Sequence, residues 1–457
     1  MKVHFIAIGG SAMHNLAIAL KKKGFEVSGS DDEILEPSRS RLGKYGILPP
    51  RSGWFPEKIH SGLDAVILGM HARADNPELK SAVDMGLRVY SYPEYIYEQS
   101  QNKTRVVIAG SHGKTSITAM ILHVMRLAGK EKETDYMVGA QLEGFDTMVK
   151  ITDEASVIVL EGDEYLSSPV DRRPKFHLYK ADIALLSGIA WDHINVFPAY
   201  EDYVKQFRIF AEQIPSSGML IYCGSDPEVK KVAESGSVKA GKISYGIPEH
   251  TIENGISYLL PQGNNSLAKV PLSVFGNHNL MNIEGARLVC SKLGVGDKVF
   301  YDAITSFKGA SRRLELVGRN DNAAMFRDFA HSPSKLKATT EAVKMQFPGR
   351  KLVACMELHT FSSLNENFLK EYNGSMAAAD VAIVYFNPHT LEHKKLKPIT
   401  ASAVAQSFGG GNVLVYMDST KLTEDLKAME WKDKVLLMMS SGNFDGIDFK
   451  QLSKEIL

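Results

Sequence analysis

The sequence predicts an α/β protein of three successive domains, each built on a parallel sheet. Three observations predict it. A glycine turn follows the first apolar strand, a strand–glycine loop–helix unit occupies residues 104–128, and five strand-length apolar runs alternate with helical segments after residue 310. The expected division is an N-terminal Rossmann-like domain over 1–101, a central P-loop ATPase-like parallel sheet over 102–309, and a C-terminal Rossmann-like doubly wound domain over 310–457.

In the first domain, residues 2–8 read as a strand and Gly9-Gly10-Ser11-Ala12-Met13 as a tight turn. Asn15 to Lys23 has amphipathic helical spacing and stops at Gly24. Phe25 to Gly29 is a second strand that runs into Ser30-Asp31-Asp32, about twenty positions after the turn, where a βαβ unit grips a nucleotide ribose or base. The turn is not a full G-x-G-x-x-G, so by itself it is a weak signal, and an α/β domain without nucleotide fits it too. Ala65 to Gly69 and Val89 to Tyr92 are further strands, with a helix opened by Asn76-Pro77-Glu78. The polar run Gln99 to Thr104 marks the boundary.

The second domain opens on its main feature. Arg105 to Ala109 is a β-branched apolar run, Gly110-Ser111-His112-Gly113-Lys114-Thr115 follows, and Ile117, Met120, Ile121, Val124 and Met125 fall at helical spacing. A strand, a glycine turn and a helix start in that order converge free N–H groups and the positive end of a helix dipole on one point, which is a phosphate cradle. Gly110 and Gly113 let the backbone approach, Lys114 neutralises β/γ-phosphates, and the Thr115 hydroxyl ligates Mg²⁺, so ATP is the expected ligand. The loop is a shortened Walker variant, with two residues between its glycines. Two more strands, Ser156 to Leu160 and Ile183 to Gly188, end in Glu161-Gly162-Asp163-Glu164 and Ala190-Trp191-Asp192-His193. Side chains at carboxyl ends of such strands gather around the ligand, so Glu161 and His193 are expected to reach the metal, with Glu164 and Asp192 as second candidates.

Gly276-Asn277-His278-Asn279 with Asn282, ahead of a helical Ile283 to Leu293, offers amide and imidazole groups suited to an adenine edge, or to an Asn-rich helix cap. Phe307 to Arg313 reads as a linker carrying Arg312 and Arg313, which could clamp phosphate. In the third domain Ala324 to Arg327 is a strand leading into Asp328-Phe329-Ala330-His331-Ser332-Pro333, where a helix begins. Leu352 to Met356, Val381 to Phe386, Val413 to Tyr416 and Val435 to Met439 are its other strands.

Over 457 residues, 53 basic and 53 acidic side chains balance, which leaves no electrostatic footprint for nucleic acid or an anionic membrane. Small-molecule partners are expected. Cys223, Cys290 and Cys355 lie far apart without metal-ligand spacing, which suits a reducing cytoplasm. The short apolar N-terminus ends in glycines and reads as a strand rather than a signal peptide, and no run approaches the length of a membrane span.

Taken together, the phosphate loop Gly110 to Thr115, Glu161, Asp192-His193, His278-Asn279 with Asn282, Arg312-Arg313 and Asp328 to Pro333 resemble the Mur ligase family over essentially the whole chain. The resemblance implies an ATP- and Mg²⁺-dependent ligase that makes an amide through an acyl phosphate. It implies catalytic roles for Lys114, His193, Arg313 and His331, and metal ligation by Thr115, Glu161 and His193. Nucleotide binding would involve Gly110, Ser111, His112, Gly113, Lys114, Thr115, Ser116, His278, Asn279, Asn282, Arg313 and Asp328. The turn Gly9, Gly10, Ser11 and Met13, with Ser30, Asp31 and His71, resembles members that bind UDP-N-acetylmuramate.

Two branches of the family share the turn and the loop, one adding L-alanine and one adding the murein tripeptide L-alanyl-γ-D-glutamyl-meso-diaminopimelate in peptidoglycan recycling. The alanine branch typically has Asp-Glu-Ser-Asp after the metal carboxylate. This chain has Asp163-Glu164-Tyr165, a longer insert from Asp171 to Tyr179, and Arg312 to Leu316, which resemble the tripeptide branch more closely. It departs from the family at His331-Ser332-Pro333, where a second imidazole is usual, and at Glu357 to Ser363, where an arginine is usual. Several relatives carry a carbamylated lysine where this chain has Gln206 beside Lys205, so no carbamate is expected. A nicotinamide-dependent oxidoreductase using the first βαβ unit is the alternative of another class, but it leaves Gly110 to Thr115 unexplained. A nucleotide-binding regulator without catalysis is a third.

Overall fold

Among the described residues, apolar strands and amphipathic helices assemble into three parallel-dominated sheets and one small antiparallel sheet. The computed structural model describes residues 1–457 except 143, 192–195, 254, 262–268, 310–312 and 411–412. Met1–Ile189, Val204–Tyr245 and Gly285–Phe300 form one compact unit; Ala190–Tyr203, Gly246–Glu284 and Tyr301–Leu457 form a second.

The first unit holds two sheets. β1 (Lys2–Ile6), β2 (Glu26–Ser30), β3 (Ala65–Leu68) and β4 (Val89–Ser91) pair in parallel in the order β2-β1-β3-β4. The helix after the glycine turn runs Ser11–Lys22, starting one turn earlier than its apolar spacing suggests because Gly10 already serves as its N-cap. β4 stops at Ser91 rather than Tyr92, because Ser91 and Glu94 form a capping box that starts the helix Tyr92–Glu98.

The central sheet has seven strands: β5 (Thr104–Ala109), β6 (Thr134–Met137), β7 (Val149–Lys150), β8 (Val157–Gly162), β9 (Ile183–Leu186), β10 (Met219–Cys223) and β11 (Gly241–Tyr245). Their order is β11-β10-β9-β5-β8-β6-β7, with β5 in the middle and only β7 antiparallel. Asp146 ties the two sheets together, accepting from Lys22 Nζ at 2.7 Å and the Tyr45 hydroxyl at 2.5 Å. Asn15 Oδ1 accepts the Met148 N–H at 2.9 Å. These bonds fix the helix of the glycine turn beside the β6–β7 edge.

In the second unit β12 (His250–Glu253), β13 (Ile256–Leu259) and β14 (Val270–Leu272) form an antiparallel sheet that the periodicity does not announce. The C-terminal sheet contains β15 (Glu315–Arg319), β16 (Ala323–Asp328), β17 (Lys351–Glu357), β18 (Val381–Tyr385), β19 (Val413–Tyr416) and β20 (Lys434–Met439), in the order β15-β16-β20-β17-β18-β19. It is doubly wound as expected, with one strand more: β15 is an antiparallel edge. Along β17, Leu352, Ala354 and Met356 enter one apolar core while Val353 and Cys355 enter the other, the alternation of a strand buried on both faces.

Candidate active site

The phosphate loop lies between β5 and the helix Lys114–Leu127, at the carboxyl end of the central strand. Gly110 has φ +128°, and a Cβ there would meet the Ser187 hydroxyl at 2.3 Å and the Gly188 nitrogen at 3.0 Å. The loop packs that closely because β9 pairs with β5 and its continuation, Ser187-Gly188, bonds the loop: Ser187 N donates to Ala109 O at 3.0 Å, and Ser111 N to Gly188 O at 2.9 Å. Gly113, at φ +78°, caps the helix in the left-handed region. Gly110→Ala is therefore expected to cost about 2 kcal/mol or more, from strained backbone and displacement of Ser187. Thermal unfolding and nucleotide binding of the variant check this; an unchanged midpoint with undiminished binding contradicts it.

Beside the loop, the register of β8 sets Glu161 opposite Ile108 and Gly162 opposite Ala109. Glu161 Oε1 accepts the Thr115 hydroxyl at 2.8 Å and Oε2 the Gly139 N–H at 2.9 Å. Lys114 Nζ donates to Gly110 O at 2.7 Å and to Glu164 Oε2 at 2.5 Å, and the Glu164 side chain is 1% exposed. Burial pulls the Lys114 pKa down, but the charges of Glu164, Asp163 and Glu161 outweigh it and the net shift is upward, so the ammonium is held charged. Glu164, a second candidate for the metal, is thus partnered with the lysine. Lys175 Nζ makes a similar contact with Asp163 Oδ2 at 2.5 Å.

A cavity of about 410 Å³ joins this loop to the N-terminal glycine turn; Gly10, Ser11, Met13 and His71 line it together with Lys114, Glu161, Asp163 and Lys175. Gly9 N donates to Asp31 Oδ2 at 2.7 Å. Burial pushes the Asp31 carboxyl up to about 6, against the Gly9 bond. Ser30 is fully buried, and its hydroxyl accepts Lys58 Nζ at 3.1 Å. Sequence reasoning named Gly10, Ser11, Met13, His71, Lys114 and Glu161 among the residues that line this cavity. It missed Lys175, whose only signal was a basic run, and Tyr92 and Tyr179, which also line the cavity.

In the second unit, Asp328 ends β16 and is fixed by backbone: Oδ2 accepts Leu314 N at 2.5 Å and Oδ1 accepts Ala330 N at 2.7 Å. Burial raises its pKa despite the nearby Arg313. The Arg313 guanidinium lies 4.9 Å from the Phe329 ring centre, and His331 Nδ1 contacts Phe329 O at 2.8 Å. His278 is pulled down to about 4 by burial, which keeps it neutral, and Asn279 Nδ2 donates to Phe275 O at 2.9 Å, a bond within its own helix start. Asn282 is buried. Asp192, His193 and Arg312 lie outside the described residues.

A strand-end phosphate loop opening into a cavity shared with a second glycine turn is the arrangement of a nucleotide-dependent enzyme of the α/β class. Comparisons with known proteins give the family. Residues 2–104 match the Mur ligase family catalytic domain, 108–290 the Mur ligase middle domain and 312–442 the Mur ligase glutamate ligase domain. The UDP-N-acetylmuramate–L-alanine ligase of Caldicellulosiruptor bescii is 32% identical over 392 residues, covering 84% of this chain and 83% of that protein. Among solved structures, a murein peptide ligase from Psychrobacter arcticus is similar in fold, at 22% identity and TM-score 0.66, over 100% of this chain and 98% of that one. So is a UDP-N-acetylmuramate–alanine ligase from Thermotoga maritima, at 19% identity and TM-score 0.68, with 100% and 98% coverage. The chain belongs to the Mur ligase family. It is an ATP-dependent, amide-bond-forming ligase acting on small molecules, and the oxidoreductase alternative gives way to that. Among the described residues no helix is long and apolar enough to cross a membrane.

Proposed function

We propose that this ligase joins the carboxylate of UDP-N-acetylmuramate to the amine of L-alanyl-γ-D-glutamyl-meso-diaminopimelate, in cytoplasmic peptidoglycan recycling. The supporting observation is the single cavity that the glycine turn of the first sheet and the phosphate loop of the second both line. A carboxylate oxygen is a poor leaving group. An oxygen of the muramyl carboxylate attacks the γ-phosphorus, ADP leaves, and the resulting acyl phosphate is attacked at carbon by the amine, which releases phosphate and a proton. In this reading residues 1–101 hold the UDP-sugar, 102–309 ATP and 310–457 the incoming amine.

The Gly110 cradle and Lys114 suit a polyphosphate, and the oxygen donors Thr115 and Glu161 suit Mg²⁺, with His193 as the proposed third ligand. Bound there, the metal supplies positive charge against the phosphates. Lys114 is held charged and oriented by Glu164 for the same purpose. His278, Asn279, Asn282, Arg313 and Asp328 are proposed for the nucleotide, and His331 for phosphate or the amine.

The tripeptide is favoured by Asp163-Glu164-Tyr165 and by the insert that brings Lys175 to Asp163 and into the cavity. L-alanine as the amine is the second reading, and the name of the Caldicellulosiruptor bescii relative favours it. Phosphate release with ATP, Mg²⁺ and UDP-N-acetylmuramate, compared between the two amines, decides. The proposal expects at least about tenfold higher kcat/KM with the tripeptide, which corresponds to about 1.4 kcal/mol. A preference for alanine overturns it.

A further inference from the structure

We propose that the hydroxyls of Tyr92 and Tyr179 donate hydrogen bonds to the muramyl carboxylate and seat it for attack on ATP. This rests on the UDP-N-acetylmuramate reading above and adds the two groups that position its reacting end.

Tyr92 is the first residue of the helix that follows β4, and Tyr179 caps the short helix Lys175–Leu178. The two side chains come from different sheets of the first unit, yet both line the cavity that holds Lys114 and Glu161. Tyr92 is 5% exposed and Tyr179 is 0% exposed. Neither hydroxyl has a hydrogen-bond partner among the described residues. Buried polar atoms are overwhelmingly paired, and a phenylalanine would fill the same space without the cost of an unpaired hydroxyl. Two unpartnered hydroxyls on residues that line one cavity point to a ligand that accepts hydrogen bonds.

The neighbouring charges say which part of the ligand. Burial raises both phenol pKa values, and the negative charge of Glu161 adds to each, so both remain protonated donors at neutral pH. Glu161, whose oxygen takes the Thr115 hydroxyl, and Lys114 of the phosphate loop line the same cavity as the two tyrosines. The acceptors nearby are already engaged: Glu161 by Thr115 and Gly139, Asp163 by Lys175, Glu164 by Lys114. A nucleophilic carboxylate is well served by neutral donors. A guanidinium clamp would hold it more tightly but would withdraw the charge that must attack phosphorus.

The test uses Tyr92→Phe, Tyr179→Phe and the double variant in the full chain. Each single substitution is expected to lower kcat/KM for UDP-N-acetylmuramate by about 10- to 100-fold, the loss of one bond to a charged group. The KM for ATP and inhibition by UDP-N-acetylglucosamine, which has no carboxylate, should stay within about twofold. The thermal midpoint should hold or rise, since an unpaired buried hydroxyl is removed; a merely structural role would lower it and leave the kinetics unchanged. Unaltered kcat/KM in both single variants overturns the proposal, as does an equal weakening of UDP-N-acetylglucosamine inhibition. If the wild-type protein neither binds nor consumes UDP-N-acetylmuramate, the substrate reading itself has failed, and the proposal falls with it.

Discussion

Lys114→Ala is expected to slow amide formation by about 10³-fold or more, a loss of about 4 kcal/mol of transition-state stabilisation. Two effects combine in that variant and can be separated. The chemical one is the loss of the only side chain of the loop whose ammonium reaches back over Gly110 O, where the phosphates are proposed to lie. The structural one is that Glu164, 1% exposed, loses the opposite charge of the lysine while remaining buried, and breaking such a buried ion pair costs about 3–5 kcal/mol. Lys114→Ala combined with Glu164→Gln removes the stranded charge. The double variant should therefore recover most of the thermal midpoint while remaining as inactive as the single one. Recovery of turnover along with stability would show that the lysine acts only as a structural counter-ion.

The second large effect is expected from Glu161→Gln. This carboxylate accepts the Thr115 hydroxyl and the Gly139 N–H through different oxygens, so it both shapes the loop and presents negative charge beside it. The amide keeps the size and one of the two acceptors but loses the charge. Turnover should fall by about 10²-fold or more, and the Mg²⁺ concentration for half-maximal rate should rise about tenfold or more. UDP-N-acetylmuramate binding in the absence of ATP should change little. A variant with a normal Mg²⁺ requirement contradicts the assignment of Glu161 to the metal.

What could be read from the sequence was what is encoded locally. Gly110 to Thr115 was legible because strand, turn and helix signals are contiguous, and Glu161 because a strand end in a parallel sheet points at the ligand. The Lys114–Glu164 pair joins residues 50 apart, and nothing in either stretch names its partner. In sequence Tyr92 only ends a strand and Tyr179 only ends an insert; the three-dimensional arrangement alone shows that both are buried, line one cavity and carry unpartnered hydroxyls. β15 escaped notice because Glu315–Arg319 carries charge at both ends and Gly318 within, the composition of a loop. Gly318 is needed there because a Cβ would meet the Ser453 hydroxyl at 2.3 Å, so close packing against the last helix overrides strand propensity. The edge strand Val149–Lys150 is too short to show a period at all.

The central claim is that ATP makes the muramyl carboxylate reactive by phosphorylating it in the cavity beside Lys114 and Glu161. The most direct measurement uses UDP-N-acetylmuramate carrying ¹⁸O in that carboxylate and follows the label by mass spectrometry of the phosphate released during turnover. Attack by the carboxylate oxygen on phosphorus, followed by attack of the amine on carbon, must leave one carboxylate oxygen in every phosphate formed. Labelled inorganic phosphate together with ADP is the expected result; unlabelled phosphate, or label appearing in AMP, would contradict the account.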